Sequence, residues 1–97
     1  MPKFVVLGNF TDQGARNAKE TTKRAAAFRE MAKKEGVSLR DIYWTLGAHD
    51  VLILLDAPDD ETVAGLLLNL GALGNLRTQT LRAFSAEEME KIIAKAP

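Results

Sequence analysis

Two stretches of this chain are apolar at consecutive positions, and two others alternate. Phe4-Val5-Val6-Leu7 and Val51-Leu52-Ile53-Leu54-Leu55 contain no polar residue. A half-wet strand alternates with period two, so unbroken apolar runs of this length predict strands covered on both faces. Between Leu39 and Leu46, by contrast, Ile42, Trp44 and Leu46 share one side, and Asp41, Tyr43 and Thr45 the other. From Arg77 to Phe84, Leu81 and Ala83 oppose Thr78, Thr80, Arg82 and Phe84. Those two segments read as edge strands with one drier face. Asp41 to Asp56 forms a hairpin with a tight turn starting at Gly47-Ala48, its second strand opening at His49 or Asp50 and stopped by Pro58. The first strand runs from Lys3 to Phe10, with Gly8 marking a bulge or a close backbone approach.

Between the strands the period changes to that of helices. Thr11 or Asp12 can cap a first turn, and a long helix follows from Asn17 or Thr21 to Glu35, with a kink or restart at Thr21-Thr22. Its buried stripe is Ala25, Phe28, Met31 and Ala32, and Gly36 is its natural stop. Glu20 with Arg24 and Glu30 with Lys34 have the spacing of helical ion pairs, each contributing ~0.3 kcal/mol. A second helix starts at Asp59-Asp60-Glu61 and runs to about Leu70, burying Val63, Leu66, Leu67 and Leu70. Leu68 and Leu73 lie off that stripe and need a loop or another subunit to cover them. Gly71, Gly74 and Asn75 end this helix. Ser85 to Glu88 is a capping box opening a short terminal helix whose apolar side is Met89, Ile92, Ile93 and Ala96.

The resulting order, strand-helix-strand-strand-helix-strand plus a helix, is the split βαβ unit of a single α+β, ferredoxin-like domain over residues 1–97. Right-handed crossovers place the first and third strands in the centre and the other two outside, which agrees with the apolar pattern. Two crossover helices cover only one face of such a sheet. The terminal helix, ~15 Å long, is shorter than the span of four strands at ~4.8 Å spacing plus their side chains. The expectation is therefore association of at least two copies through the open sheet face. Burying ~600 Å² of mostly apolar surface per chain would contribute on the order of 15 kcal/mol before association costs.

Composition narrows the partners. Thirteen basic and thirteen acidic residues cancel in a 97-residue chain, which argues against nucleic acid or an acidic membrane surface as partner. Locally the charges segregate. Arg16 to Arg40 is rich in Lys and Arg, whereas Asp41 to Leu76 holds none but carries six acidic residues in Asp41, Asp50, Asp56, Asp59, Asp60 and Glu61. Two explanations stand: a solvated basic helix beside an acidic helix start, or head-to-tail complementarity between subunits. There are no cysteines, which removes disulfides, thiolate metal sites and Cys nucleophiles. With no long apolar run at Met1-Pro2-Lys3-Phe4 or elsewhere, the expected location is the cytoplasm.

Few residues carry chemistry. His49 is the sole histidine and the candidate general base, against a plainer role as a polar residue filling the hairpin tip. Successive strand residues point to opposite faces, so His49 and Asp50 do not form a dyad if both lie in the strand. One histidine without further ligands is no metal site, and no cofactor is implied. Asp50, if buried, needs donors such as Arg82, Thr80 or Tyr43. Tyr43, Trp44 and Phe84 either pack the core or line a cavity between helices and sheet. Arg82 with Thr78 and Thr80 is a polar stripe suited to a carboxylate, a phosphate or an intersubunit ion pair. Gly71 to Asn75 follows a helix rather than opening one, which makes it a poor phosphate loop. The candidate ligand-binding set is thus Tyr43, Trp44, Asp50, Thr80 and Arg82.

The segments FVVLGNFTDQG at Phe4–Gly14, YWTLG with Asp50 beyond it, APDDE at Ala57–Glu61 and LGALGNLRTQTLRAF at Leu70–Phe84 together resemble the GYD domain family over nearly the whole chain. The resemblance implies a dimeric α+β barrel type of ferredoxin-like fold and brings no established activity. Of the Gly/Tyr/Asp signature behind the family's name, Gly47 and Asp50 stand in place and His49 occupies the tyrosine position. Three readings follow. The first is a homo-oligomeric small-molecule-binding or assembly module without catalysis. The second, by fold analogy with cofactor-free monooxygenases and isomerases, is an enzyme in which His49 or Asp50 shuttles a proton and Trp44 or Tyr43 stacks on an aromatic or carboxylate substrate. The third is a purely structural oligomer.

Overall fold

A computed structural model describes residues 1–97. Strands β1 (Lys3–Phe10), β2 (Ser38–Trp44), β3 (Val51–Asp56) and β4 (Leu76–Ala83) form one sheet in the order β2-β3-β1-β4, every pair antiparallel. The helices are α1 (Asp12–Arg16), α2 (Thr21–Lys34), α3 (Asp60–Ala72) and α4 (Ala86–Lys95), with a single 3₁₀ turn at Ala18–Glu20 between α1 and α2. This is the ferredoxin-like α+β arrangement with a short terminal helix, and the doubly apolar strands are the central ones.

Local chemistry explains the element ends. Thr11 Oγ1 accepts from Gly14 N at 3.1 Å to cap α1, and Asp59 accepts from Thr62 N at 2.8 Å to cap α3. Ser85 and Glu88 complete the reciprocal capping box of α4. The helix restarts at Thr21, after the 3₁₀ turn. Glu20 pairs with Lys23 at 3.2 Å rather than with Arg24, because the 3₁₀ turn breaks the i,i+4 geometry that the uninterrupted helix would have supplied. Glu30 and Lys34 make no ion pair; the others are Lys3–Glu88 and Arg40–Asp56.

The hairpin departs from expectation at its tip. β2 ends at Trp44 and β3 begins at Val51, so Leu46 lies in a broad turn, fully exposed, instead of beside Ile42 and Trp44. Thr45 N donates to Asp50 O at 2.8 Å and closes that turn, while Gly47 takes φ +115°. Gly8 lies in regular register; a side chain there would meet Leu76 and Val51 at an ordinary 3.6 Å. The irregularity falls instead in β2 between Leu39 and Asp41. The extra residue, Arg40, pairs with Asp56, the one buried charged side chain.

The core lies between the sheet and α2 and α3. Phe4 and Val6 of β1, Val51, Ile53 and Leu55 of β3, Leu39, Phe28, Ala32, Val63, Leu66 and Leu70 are all buried there. The opposite face carries Val5, Leu7, Leu52 and Leu54, all only half-buried, flanked by exposed Tyr43 and Leu81. Helix α4 does not roof it: no residue of α4 is buried, and Met89, Ile92 and Ile93 are exposed. The molecule measures 49 × 31 × 18 Å, and 18 Å is the depth of two layers, not three.

Candidate functional site

The sequence-derived candidates occupy three separate places. At the hairpin end, Asp50 Oδ2 accepts from Phe10 N at 2.9 Å, and Asp50 N donates to Gly8 O at 2.9 Å. The donor Asp50 takes is thus a backbone N–H at the end of β1, rather than Arg82, Thr80 or Tyr43. Asn9 Nδ2 donates to Ala48 O at 2.7 Å, which directs its Oδ1 toward His49 Nδ1 at 2.9 Å. That geometry sets His49 Nδ1 as the protonated nitrogen and leaves Nε2 free. His49 and Asp50 sit side by side in the chain and make no hydrogen bond to each other; each is held by β1.

On β4, Thr80 and Arg82 face the helix side, opposite Val6 and Phe4. Arg82 lies over the Phe84 ring at 4.5 Å and the Phe4 ring at 5.5 Å, and donates to the Ala83 and Lys3 carbonyls. Its charge helps, as a smaller contribution, to hold the nearby Glu88 carboxyl below its ordinary range; the main cause is the hydrogen bond from Ser85 N. Tyr43 stands opposite Leu52 on the bare side of the sheet, whereas Trp44, opposite Val51, points to the helix side. Neighbours in one strand therefore serve opposite faces.

Trp44 is the member of the set that lines a cavity. A cavity of about 110 Å³ lies between α2, the end of α3 and the sheet, bounded by 14 residues of which 11 are hydrophobic. Phe28, Ile53 and Leu70 form its buried walls, and exposed Trp44 and Leu73 stand at its mouth. Trp44 Nε1 donates to Thr21 Oγ1 at 3.0 Å, fixing the indole across the opening. Arg24 also lines it. A sequence signal for Arg24 exists: it stands four residues before Phe28 and seven before Met31, in phase with the buried stripe.

The chain's relatives fit this architecture. The sequence model of the GYD domain matches residues 4–93. The chain belongs to the GYD domain family. A relative from Thermus thermophilus, described as a glutamine synthetase and cystathionine beta-lyase binding protein, is 32% identical over 90 residues, covering 92% of this chain and 95% of the relative. The similarity therefore extends over most of both chains. In keeping with the apolar pattern, no helix of this GYD protein is long and apolar enough to cross a membrane.

Proposed function

We propose that this GYD protein is a non-catalytic assembly and binding module: two copies close their bare sheet faces on each other, and the paired particle binds metabolic enzymes. The observation that carries the pairing is surplus surface. A self-contained 10.6 kDa protein exposes roughly 5,500 Å², whereas this chain exposes 6469 Å². The difference, on the order of 1,000 Å², is close to the ~800 Å² per partner that a stable interface buries. The radius of gyration agrees: 14.5 Å against about 12.5 Å for a compact domain of this length.

A second copy suits this surface better than an unrelated partner. Each chain has a deficit, the uncovered Val5, Leu7, Leu52 and Leu54, and a surplus, the apolar side of α4 with Met89, Ile92 and Ile93. A twofold axis supplies one surplus for every deficit. Enzyme binding is supported by the description of the Thermus relative as a glutamine synthetase and cystathionine beta-lyase binding protein. Nothing in the hairpin's hydrogen bonding requires catalysis, since Asp50 and His49 both serve to tie the turn to β1.

The test has two parts. Light scattering after size exclusion should return a mass near twice 10.6 kDa, and a monomer at micromolar concentration sinks the pairing. Immobilised protein should then retain purified glutamine synthetase or cystathionine beta-lyase from the same organism. Failure to retain either enzyme removes the binding half of the reading.

A further inference from the structure

The cavity on the helix side is walled by core residues. Phe28, Ile53 and Leu70 are buried and line it, so it reaches between α2, the end of α3 and the sheet into the interior instead of lying as a groove on the surface. Its mouth is preformed, because the hydrogen bond from Trp44 Nε1 to Thr21 Oγ1 holds the indole in place. The three polar residues of the lining, Thr21, Arg24 and Asn75, are each engaged within the chain. Thr21 Oγ1 accepts from Trp44, Arg24 Nη1 donates to Asn17 O at 2.7 Å, and Asn75 Oδ1 accepts from Gln13 Nε2 at 3.0 Å. Arg24 Nη2 is buried by the surrounding protein and out of a ligand's reach. With 11 of the 14 lining residues hydrophobic, the surface left to a ligand is overwhelmingly apolar. Such a space suits water poorly, since a buried water needs two to four polar partners.

We propose that this cavity binds a small, uncharged, hydrocarbon-like molecule, seated against Phe28, Ile53 and Leu70 with Trp44 across the entrance. The size limits the ligand. An apolar cavity of ~150 Å³ holds benzene, and about 110 Å³ with an open mouth takes one ring or an alkyl chain of similar bulk. A segment of another polypeptide does not suit it, because backbone N–H and C=O groups drawn into apolar walls need partners. A carboxylate or an ammonium fares worse, since its charge would be stripped of water without a counter-charge. The site faces the helices, on the side of the sheet away from the proposed pairing surface. It therefore stands or falls independently of the pairing and of the enzyme binding.

Trp44 is the only tryptophan in the chain and lies at the mouth, so its fluorescence reports occupancy directly. Toluene should produce a saturable change on the full-length protein and raise its Tm. Phenol has the same shape with a hydroxyl in place of the methyl, and should bind about tenfold more weakly for want of a partner. Benzoate should give no saturable response. Ala25 lines the cavity, and Ala25→Leu, which fills it while keeping the indole, should abolish both the fluorescence change and the gain in Tm. Elution volume measured alongside should stay constant. No saturable response up to the solubility of toluene would overturn the proposal, as would phenol or benzoate binding as tightly as toluene. Undiminished toluene binding by Ala25→Leu would overturn it too. So would a response that appears only with a shift in elution volume, which would put the ligand on the pairing surface. Should Ala25→Leu fail to fold, the ranking of toluene, phenol and benzoate decides alone.

Discussion

The two faces of this sheet are drawn from the same two strands and have different fates. On β1 and β3, Phe4, Val6, Val51, Ile53 and Leu55 are buried under α2 and α3, while Val5, Leu7, Leu52 and Leu54, their immediate neighbours, stay half-open. The two sets are equally apolar. What separates them is the supply of cover: a ββ connection between β2 and β3 gives no crossover helix, so the two crossovers that exist lie on one side. An apolar strand face without cover is a statement about what the chain meets next rather than about the chain's own fold.

Adjacent residues of β3 make the sharpest test of that contrast. Ile53→Asp would place a carboxylate in the apolar core beside Phe28 and Leu70, and should abolish cooperative folding as seen by circular dichroism. Leu54→Asp should leave the helical spectrum intact, yield a monomer by light scattering and remove the dependence of Tm on protein concentration. If Leu54→Asp unfolds the protein as thoroughly as Ile53→Asp, the bare face is part of the monomer's own stability and the distinction fails.

A smaller effect should follow on the covered side from Gly14→Ala. A Cβ at Gly14 would lie 2.1 Å from Asn75 O, a backbone atom that also accepts from Thr11 N at 3.1 Å. Either α1 or the turn before β4 must move, and the Thr11 Oγ1 bond to Gly74 O moves with it. The expected loss is about 1–3 kcal/mol by chemical denaturation, with the pairing of the bare face unaffected. A neutral Gly14→Ala would show that this junction is loose.

Most of the fold was legible because it rests on period. Consecutive apolar residues in β1 and β3 and alternation in β2 and β4 specify centre and edge before any coordinate is known. Turn details were not legible, since the length of the β2–β3 turn depends on Thr45 meeting Asp50 and on Asp50 meeting Phe10, forty residues away in the chain. The site candidates suffered from the same limit. Residue type singled out Tyr43, Trp44, Asp50, Thr80 and Arg82, but pleat direction distributes them over both faces and the hairpin end. The spacing of Arg24 from Glu20 reads as a helical ion pair, and the 3₁₀ turn at Ala18–Glu20 replaces it with a Glu20–Lys23 pair.

The smallest expected effect concerns α4, the element offered to the bare face. Hydrogen bonds from Ser85, first its backbone N–H and then its hydroxyl, hold the Glu88 carboxyl below its ordinary range, with Lys3 and Arg82 adding lesser attraction against a small opposing cost of burial. Thr62 does the same for Asp59 at the start of α3. A carboxyl whose pKa is lowered by folding contributes stability above its unfolded pKa and loses it as pH falls through the folded one. Both caps should therefore be intact at neutral pH and weaken on acidification below the ordinary carboxylate range. Ser85→Ala should cost about 1 kcal/mol at neutral pH, with the gap from the parent protein narrowing once Glu88 is protonated. In a paired protein the Ser85→Ala loss should appear as weaker association, because no residue of α4 is buried within its own chain. In Leu54→Asp, where the pairing is gone, the same substitution should cost helix content in α4 and leave the midpoint for the remaining domain unmoved. A full loss of midpoint in that background would mean that α4 supports its own sheet, and the contrast between the two faces would then narrow to one of degree.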